Sequence, residues 1–341
     1  YRAGFNNTGS SNVLVGSNIG AVNVMSGSNN TAVGASALNA NSTGAGNSAF
    51  GINSLLSNTT GAANNAFGSG ALDANTTGGS NTAMGQAALG ANTTADNNTA
   101  VGYSAGTAVT TGVQNTLIGA LAGDALTDAD YNVALGYFAL SGDTLGSAST
   151  AIGRGALGAQ NFTTATDTYN VAVGYDAGND VTTGVQNTLI GALAGDALTD
   201  ADRNVAIGTS ALGADTLGSR STAVGQGTLQ VQNFTTAANS YNTAVGFNAG
   251  NLVTTGLQNT LIGALAGDAL TDADFNTAVG YTALGADTLG SRSTALGYNA
   301  LGSQNFTTAT ESYNAAIGHN AGKAVTTGIG NTLIGGESGD A

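Results

Sequence analysis

Polar and small apolar residues follow one another in a short phrase that recurs along this chain. The phrase is Asn-Thr-Ala-Val-Gly, as at Asn98–Gly102. Its closing glycine falls at 16, 34, 51, 68, 85, 102, 119, 136, 153, 174, 191, 208, 225, 246, 263, 280, 297, 318 and 335. The spacing is 17 residues, apart from one interval of 18 and three of 21. The residue before the glycine is apolar in all nineteen copies, and the one before that is Ala or Leu. Four before the glycine stands Asn in sixteen copies and Ser in three (Ser149, Ser221, Ser293). From about Tyr103 a longer period of 72 residues appears, made of three coils of 17 and one of 21; the run VTTGVQNTLIGALAGDALTDAD starts at Val109 and again at Val181. Self-similarity at a short fixed period is the mark of a solenoid.

No 3.6-residue apolar stripe survives the Gly, Asn and Thr of each unit, so helix is not expected. Thr-Ala-Val reads as a short strand, the glycine as a turn, and the following Ala-Leu or Ala-Gly as a second segment. Asn-Thr-Thr-Gly or Asp-Thr-Leu-Gly then closes the coil. The expected fold class is all-β, a repetitive parallel β-solenoid whose strands stack about 4.8 Å apart. Residues 1–102 form uniform coils and 103–341 the super-repeats. Asn98, Asn115 and Asn132 should form a ladder along the stack. Gly102, Gly119 and Gly136 should adopt positive φ or admit a close backbone neighbour.

Adjacent residues such as Ala100 and Val101 point to opposite faces of a strand. Both positions are always apolar, so one face is expected to fill the coil and the other to pack on neighbouring chains. A threefold bundle is the expected arrangement, with a self-contained single-chain solenoid as the alternative. The chain opens at Tyr1 rather than Met and stops at Ala341 within a repeat, so it reads as a piece of something longer.

Composition narrows the function classes. Hydrophobic residues make up 41% of the chain, too many for disorder, and 54 Gly without Pro or a three-residue period exclude collagen. Six basic residues against 20 acidic ones cannot form a footprint on nucleic acid. No apolar run is long enough to span a bilayer, so membrane insertion of this segment is not expected. The absence of Cys removes disulfides and thiolate chemistry together.

The unit NNTAVGYSAG with its trailing TTG resembles the head repeats of trimeric autotransporter adhesins, and more closely the repeats of bacteriophage and marine-bacterial tail-fibre-domain proteins. The resemblance covers essentially the whole chain. It implies a left-handed parallel β-roll, homotrimeric, exposed on a cell surface or virion. It further implies a fibre or adhesin shaft attaching to a receptor or cell-surface glycan. Repeats of 17 residues are longer than adhesin heads usually carry, which leaves the coil cross-section open. A self-assembling extracellular filament is the alternative function.

No catalytic constellation is visible, and an enzyme is not expected. The lone His319 replaces the aromatic that follows the marker glycine in other copies, and it reads as a surface variant. Three acidic segments are candidates for Ca²⁺, because hard oxygen ligands recur at short spacing: Asp124, Asp128 and Asp130; Asp196, Asp200 and Asp202; Asp268, Asp272 and Asp274. The plainer reading of each is a solvated turn whose charge opposes aggregation. No other cofactor is expected. The 21-residue coils should bulge outward and carry aromatics that either stand exposed and bind a glycan or partner or fold back to cover the coil edge: Phe162 and Tyr169, Phe234 and Tyr241, Phe306 and Tyr313. Thr110, Thr127 and Thr144 raise an ice-binding reading, which their single column does not favour.

Overall fold

A computed structural model describes residues 6–20 and 22–340; the termini Tyr1 and Ala341 lie outside the described residues. The fold is an all-β parallel solenoid, and no helix occurs among the described residues. Packing divides it into two compact units, Tyr1–Tyr169 and Asn170–Ala341. The first unit stacks nine three-residue strands, from Val13–Val15 to Thr150–Ile152, and the second stacks ten, from Val171–Val173 to Thr332–Ile334. Neighbouring strands are parallel and in register, so that like pairs with like: Thr99 with Thr116, Ala100 with Leu117, Val101 with Ile118.

Each three-residue strand between the first and the last buries its middle residue and turns the other two outward. Ala100, Leu117 and Ala134 are fully buried, as are Ala172, Leu189 and Ala206 in the second unit. At the strand's end the marker glycine is obligatory for two reasons. Gly102 has φ +141°, and a Cβ there would lie 2.4 Å from the carbonyl oxygen of Gly119 in the next coil. No other residue fits both the torsion and the approach.

The Asn at the strand's start forms the expected ladder, with a donor set richer than amide to amide. The backbone N–H of Asn115 donates to Oδ1 of Asn98 at 2.8 Å, and that of Asn132 to Oδ1 of Asn115 at 2.9 Å. Each Nδ2 donates to a carbonyl 14 residues on, as Asn98 does to Gly112 at 2.8 Å. Every one of these buried amides is thereby matched without water.

The 72-residue period is written into the interior. One interior column runs Asn41, Asn58, Asn75 and Asn92, each Nδ2 donating to the preceding Oδ1 at 2.7–3.0 Å. At Val109 the column changes and becomes Val109, Leu126, Asp143, Gln160; the second unit repeats it as Val181, Leu198, Asp215, Gln232. The change leaves Oδ1 of Asn92 buried and unmatched. A second column trades volume. Many coils place Leu after Ala, as at Leu89 and Leu140, but Gly106 and Gly123 stand there around Leu117. A Cβ on Gly123 would meet Cδ2 of Leu117 at 2.8 Å, and one on Gly106 would meet its Cδ1 at 2.6 Å. The larger strand residue fills the space that the two glycines vacate, which keeps interior density constant.

The added residues of the long coils do not merely bulge. They form a short second strand, Thr166–Asp167 on Gly146–Ser147 in the first unit, and Ala238–Asn239 on Gly218–Ser219 in the second. Thr310–Glu311 pairs with Gly290–Ser291 in the same way. Only residues 163–165 and their equivalents stand out as exposed loop.

Candidate functional surfaces

Three surfaces carry the functional possibilities: the outer strand face, the acidic segments and the corner ridge beside the long coils. The outer strand face presents the first and third residues of every strand. In the first unit the third residues form a column of Val15, Val33, Phe50, Phe67, Met84, Val101, Ile118, Leu135 and Ile152. None of them is buried, and Met84, Ile118 and Leu135 are 44, 36 and 42% exposed. The rings of Phe50 and Phe67 stack at 4.7 Å, the spacing of the coils. The second unit continues the pattern from Val173 to Ile334, with Ile190, Ile262 and Leu296 exposed. An apolar residue at every step of a parallel sheet is a larger apolar patch than a single soluble chain ordinarily shows to water.

The acidic segments do not gather their carboxylates. Asp128 accepts from the Thr111 hydroxyl at 2.5 Å, and Asp130 from the backbone N–H of Val113 at 2.7 Å, each reaching the coil before it. Asp200 and Asp202 repeat this with Thr183 and Val185, and Asp272 and Asp274 with Thr255 and Leu257. Asp124, Asp196 and Asp268 sit apart, half-buried, and burial raises each carboxyl above its ordinary value. For Asp196 the neighbouring charges of Asp180 and Asp176 add to that rise. Among the described residues no group of three or more His, Cys, Asp or Glu could hold a metal ion. Of the expected Ca²⁺ sets, Asp128, Asp130 and their counterparts act as separate inter-coil links. The spacing put three carboxylates in one coil, but the corner between them sends them to different partners.

The expected binding aromatics divide into two classes. Phe162, Phe234 and Phe306 are only 6% exposed, which overturns their reading as surface binding residues. A Cβ on Gly218 would lie 2.7 Å from the Phe234 ring, and one on Gly290 the same distance from Phe306. Those glycines open the space that the rings close. Tyr169, Tyr241 and Tyr313 do reach the surface, 49–57% exposed.

The buried polar cluster under each long coil gave no signal in the sequence beyond Asp standing where other coils have Asn. Asp215 is fully buried and accepts from Nε2 of Gln232 at 2.5 Å and from the backbone N–H groups of Gly218 and Phe234. Gln232 also donates to Ser221 and accepts from Nδ2 of Asn242. Burial nevertheless pushes the Asp215 carboxyl above its usual range.

Tyr169, Tyr241 and Tyr313 occupy a ridge of left-handed residues that immediately precede the ladder position. Early coils fill it with Asn29, Gly46, Ala63, Ser80 and Asn97, whereas the second unit carries Arg203, Arg220, Tyr241, Phe275, Arg292 and Tyr313. Bulky side chains in this conformation cost about 1–3 kcal/mol each. The guanidinium of Arg292 lies between two rings, 4.6 Å from Phe275 and 5.9 Å from Tyr313. Its Nε donates to Glu311 at 3.0 Å, and the Tyr313 hydroxyl donates to the same carboxylate at 2.6 Å. The bonds from Tyr313 and then Arg292 hold the Glu311 carboxyl below its usual value. On a neighbouring column His319 is exposed and stacks on Tyr298 at 5.0 Å, which in turn stacks on Tyr281 at 5.6 Å. The Thr110 and Thr127 hydroxyls donate to carbonyls of the next coil, so that column serves the stack itself.

Comparison with protein-family models, with curated proteins and with solved structures finds no match. No helix among the described residues is long and apolar enough to cross a membrane.

Proposed function

We propose that this chain is a structural segment of an extracellular fibre, the shaft of a phage tail fibre or a bacterial surface adhesin, and that it works as a homotrimer. One observation carries the reading: the unbroken apolar column on the outer strand face, present at every coil of each unit. A column in constant register lets parallel copies pack coil against coil, and burial of each exposed aliphatic contributes about 1–2 kcal/mol. The interior needs nothing from it, since the middle strand residues already fill the coil. The resemblance of the repeats to trimeric adhesin heads and tail fibres supplies the copy number. Its work is reach and stiffness, with attachment to a receptor or surface at the fibre's contacts.

Light scattering on the purified chain tests this. A mass of three chains is expected, falling to one chain when Ile118→Asp and Ile190→Asp are introduced together. A wild-type monomer would sink the proposal, and mass that grows without limit would favour the filament. EDTA should leave the mass unchanged, because the acidic segments hold backbone and hydroxyl groups rather than one another.

A further inference from the structure

Beside the third long coil lies a shallow cleft of about 200 Å³, lined by Asp274, Phe275, Ser291, Arg292, Thr310 and Glu311. Its side chains are pre-arranged. Arg292 is clamped between the rings of Phe275 and Tyr313, and its Nε is committed to Glu311. Its terminal nitrogens have no partner among the described residues, so they remain free donors. One oxygen of Asp274 takes the backbone N–H of Leu257, leaving the other oxygen as an acceptor. Phe275 adds a 40%-exposed apolar ring.

The geometry points to a binding site for a neutral sugar ring that presents adjacent hydroxyls, gripped by Arg292, Asp274 and Glu311 against Phe275. Donors and carboxylate acceptors beside an aromatic surface match a pyranose, whose hydroxyls both give and accept while its C–H groups need apolar contact. The charge balance selects neutral over acidic sugars: two carboxylates face one guanidinium, in a chain of net charge −14. Internal stability alone does not account for the arrangement. Exposed ion pairs and cation–π contacts contribute little, and the same corner is filled by Asn, Ser, Ala or Gly in the early coils. The equivalent positions of the first long coil, Tyr131, Ala148 and Asp167, lack the guanidinium, so they form a control within the chain.

The site lies within one chain and does not depend on trimer formation. Saturation-transfer NMR on the full chain tests it, with methyl α-mannopyranoside, methyl β-galactopyranoside, methyl β-glucopyranoside and sialyllactose as probes. At least one neutral glycoside should take up saturation, and Arg292→Gln should lower that signal at least fivefold while Ala148→Gln leaves it unchanged. Arg292 is exposed and Ala148 half-buried at the same corner, and an unchanged thermal melt of each confirms that folding is intact. Saturation of none of the neutral probes, of sialyllactose alone, or a signal that survives Arg292→Gln would overturn the assignment.

Discussion

Gln232 decides whether the Asp215 carboxylate can sit inside the second unit. It gives Asp215 a donor at 2.5 Å while its own oxygen is held by Asn242, so the amide cannot flip to another role. Gln232→Leu removes that donor and leaves Ser221 and Asn242 short of a partner. Urea unfolding at pH 7 should show a loss of about 3 kcal/mol, the cost of an uncompensated buried charge and amide. The pH dependence has a defined sign. Because burial raises the folded-state value of Asp215, the linked stability is complete below about pH 4 and falls as pH rises through the raised value. The penalty of Gln232→Leu should therefore shrink between pH 7 and pH 3, since a neutral carboxyl asks less of its surroundings. An equal penalty at both values would mean that Asp215 is neutral throughout.

At the scale of the coil, volume is exchanged between a strand and the segment behind it. Leu117→Ala should cost about 2–5 kcal/mol as a cavity. Adding Gly106→Leu should recover more than half of that, because it recreates the Leu89–Ala100 pairing found one coil earlier. Leu140 has φ +53°, so the backbone of that corner accepts a leucine. Denaturant midpoints of the single and double variants give the answer. The coil length, the strand and the marker glycine were legible from sequence because each repeats at every turn. The role of Gly123 was not, since its partner Leu117 is chosen by the path of the coil. Phe234 misled for a related reason: an aromatic in a polar run looks exposed until the opening left by a glycine across the coil, Gly218, is known. Of the candidate site, the tyrosines were legible as surface groups. Arg292 was not, because its clamp joins residues 17 and 21 positions away.

At the scale of the molecule, each four-coil block matches its own neighbours. Removing Tyr175–Gly246 joins Gly174 to Phe247 in phase, with the interior sequence Val, Leu, Asp, Gln intact on the remaining side. The shortened chain should fold, with a melting temperature within a few degrees of the parent. Its urea m-value should fall by about a fifth, in proportion to the 72 of 341 residues removed. Circular dichroism during thermal and urea unfolding measures both. A chain that fails to fold would show that the blocks depend on contacts beyond adjacent coils.

The asparagine ladder gives the stack a direction. Within each run of asparagines the backbone N–H of one ladder residue donates to the amide oxygen of the coil before it, as Asn30 does to Asn12 and Asn331 to Asn314, and Ser149, Ser221 and Ser293 close the runs. A finished coil in such a run therefore offers a side-chain acceptor on which its successor is laid, beside backbone bonds that run both ways, such as Thr99 onto Asn115. A ribosome delivers the chain in that same order, so every new turn meets a template already in place.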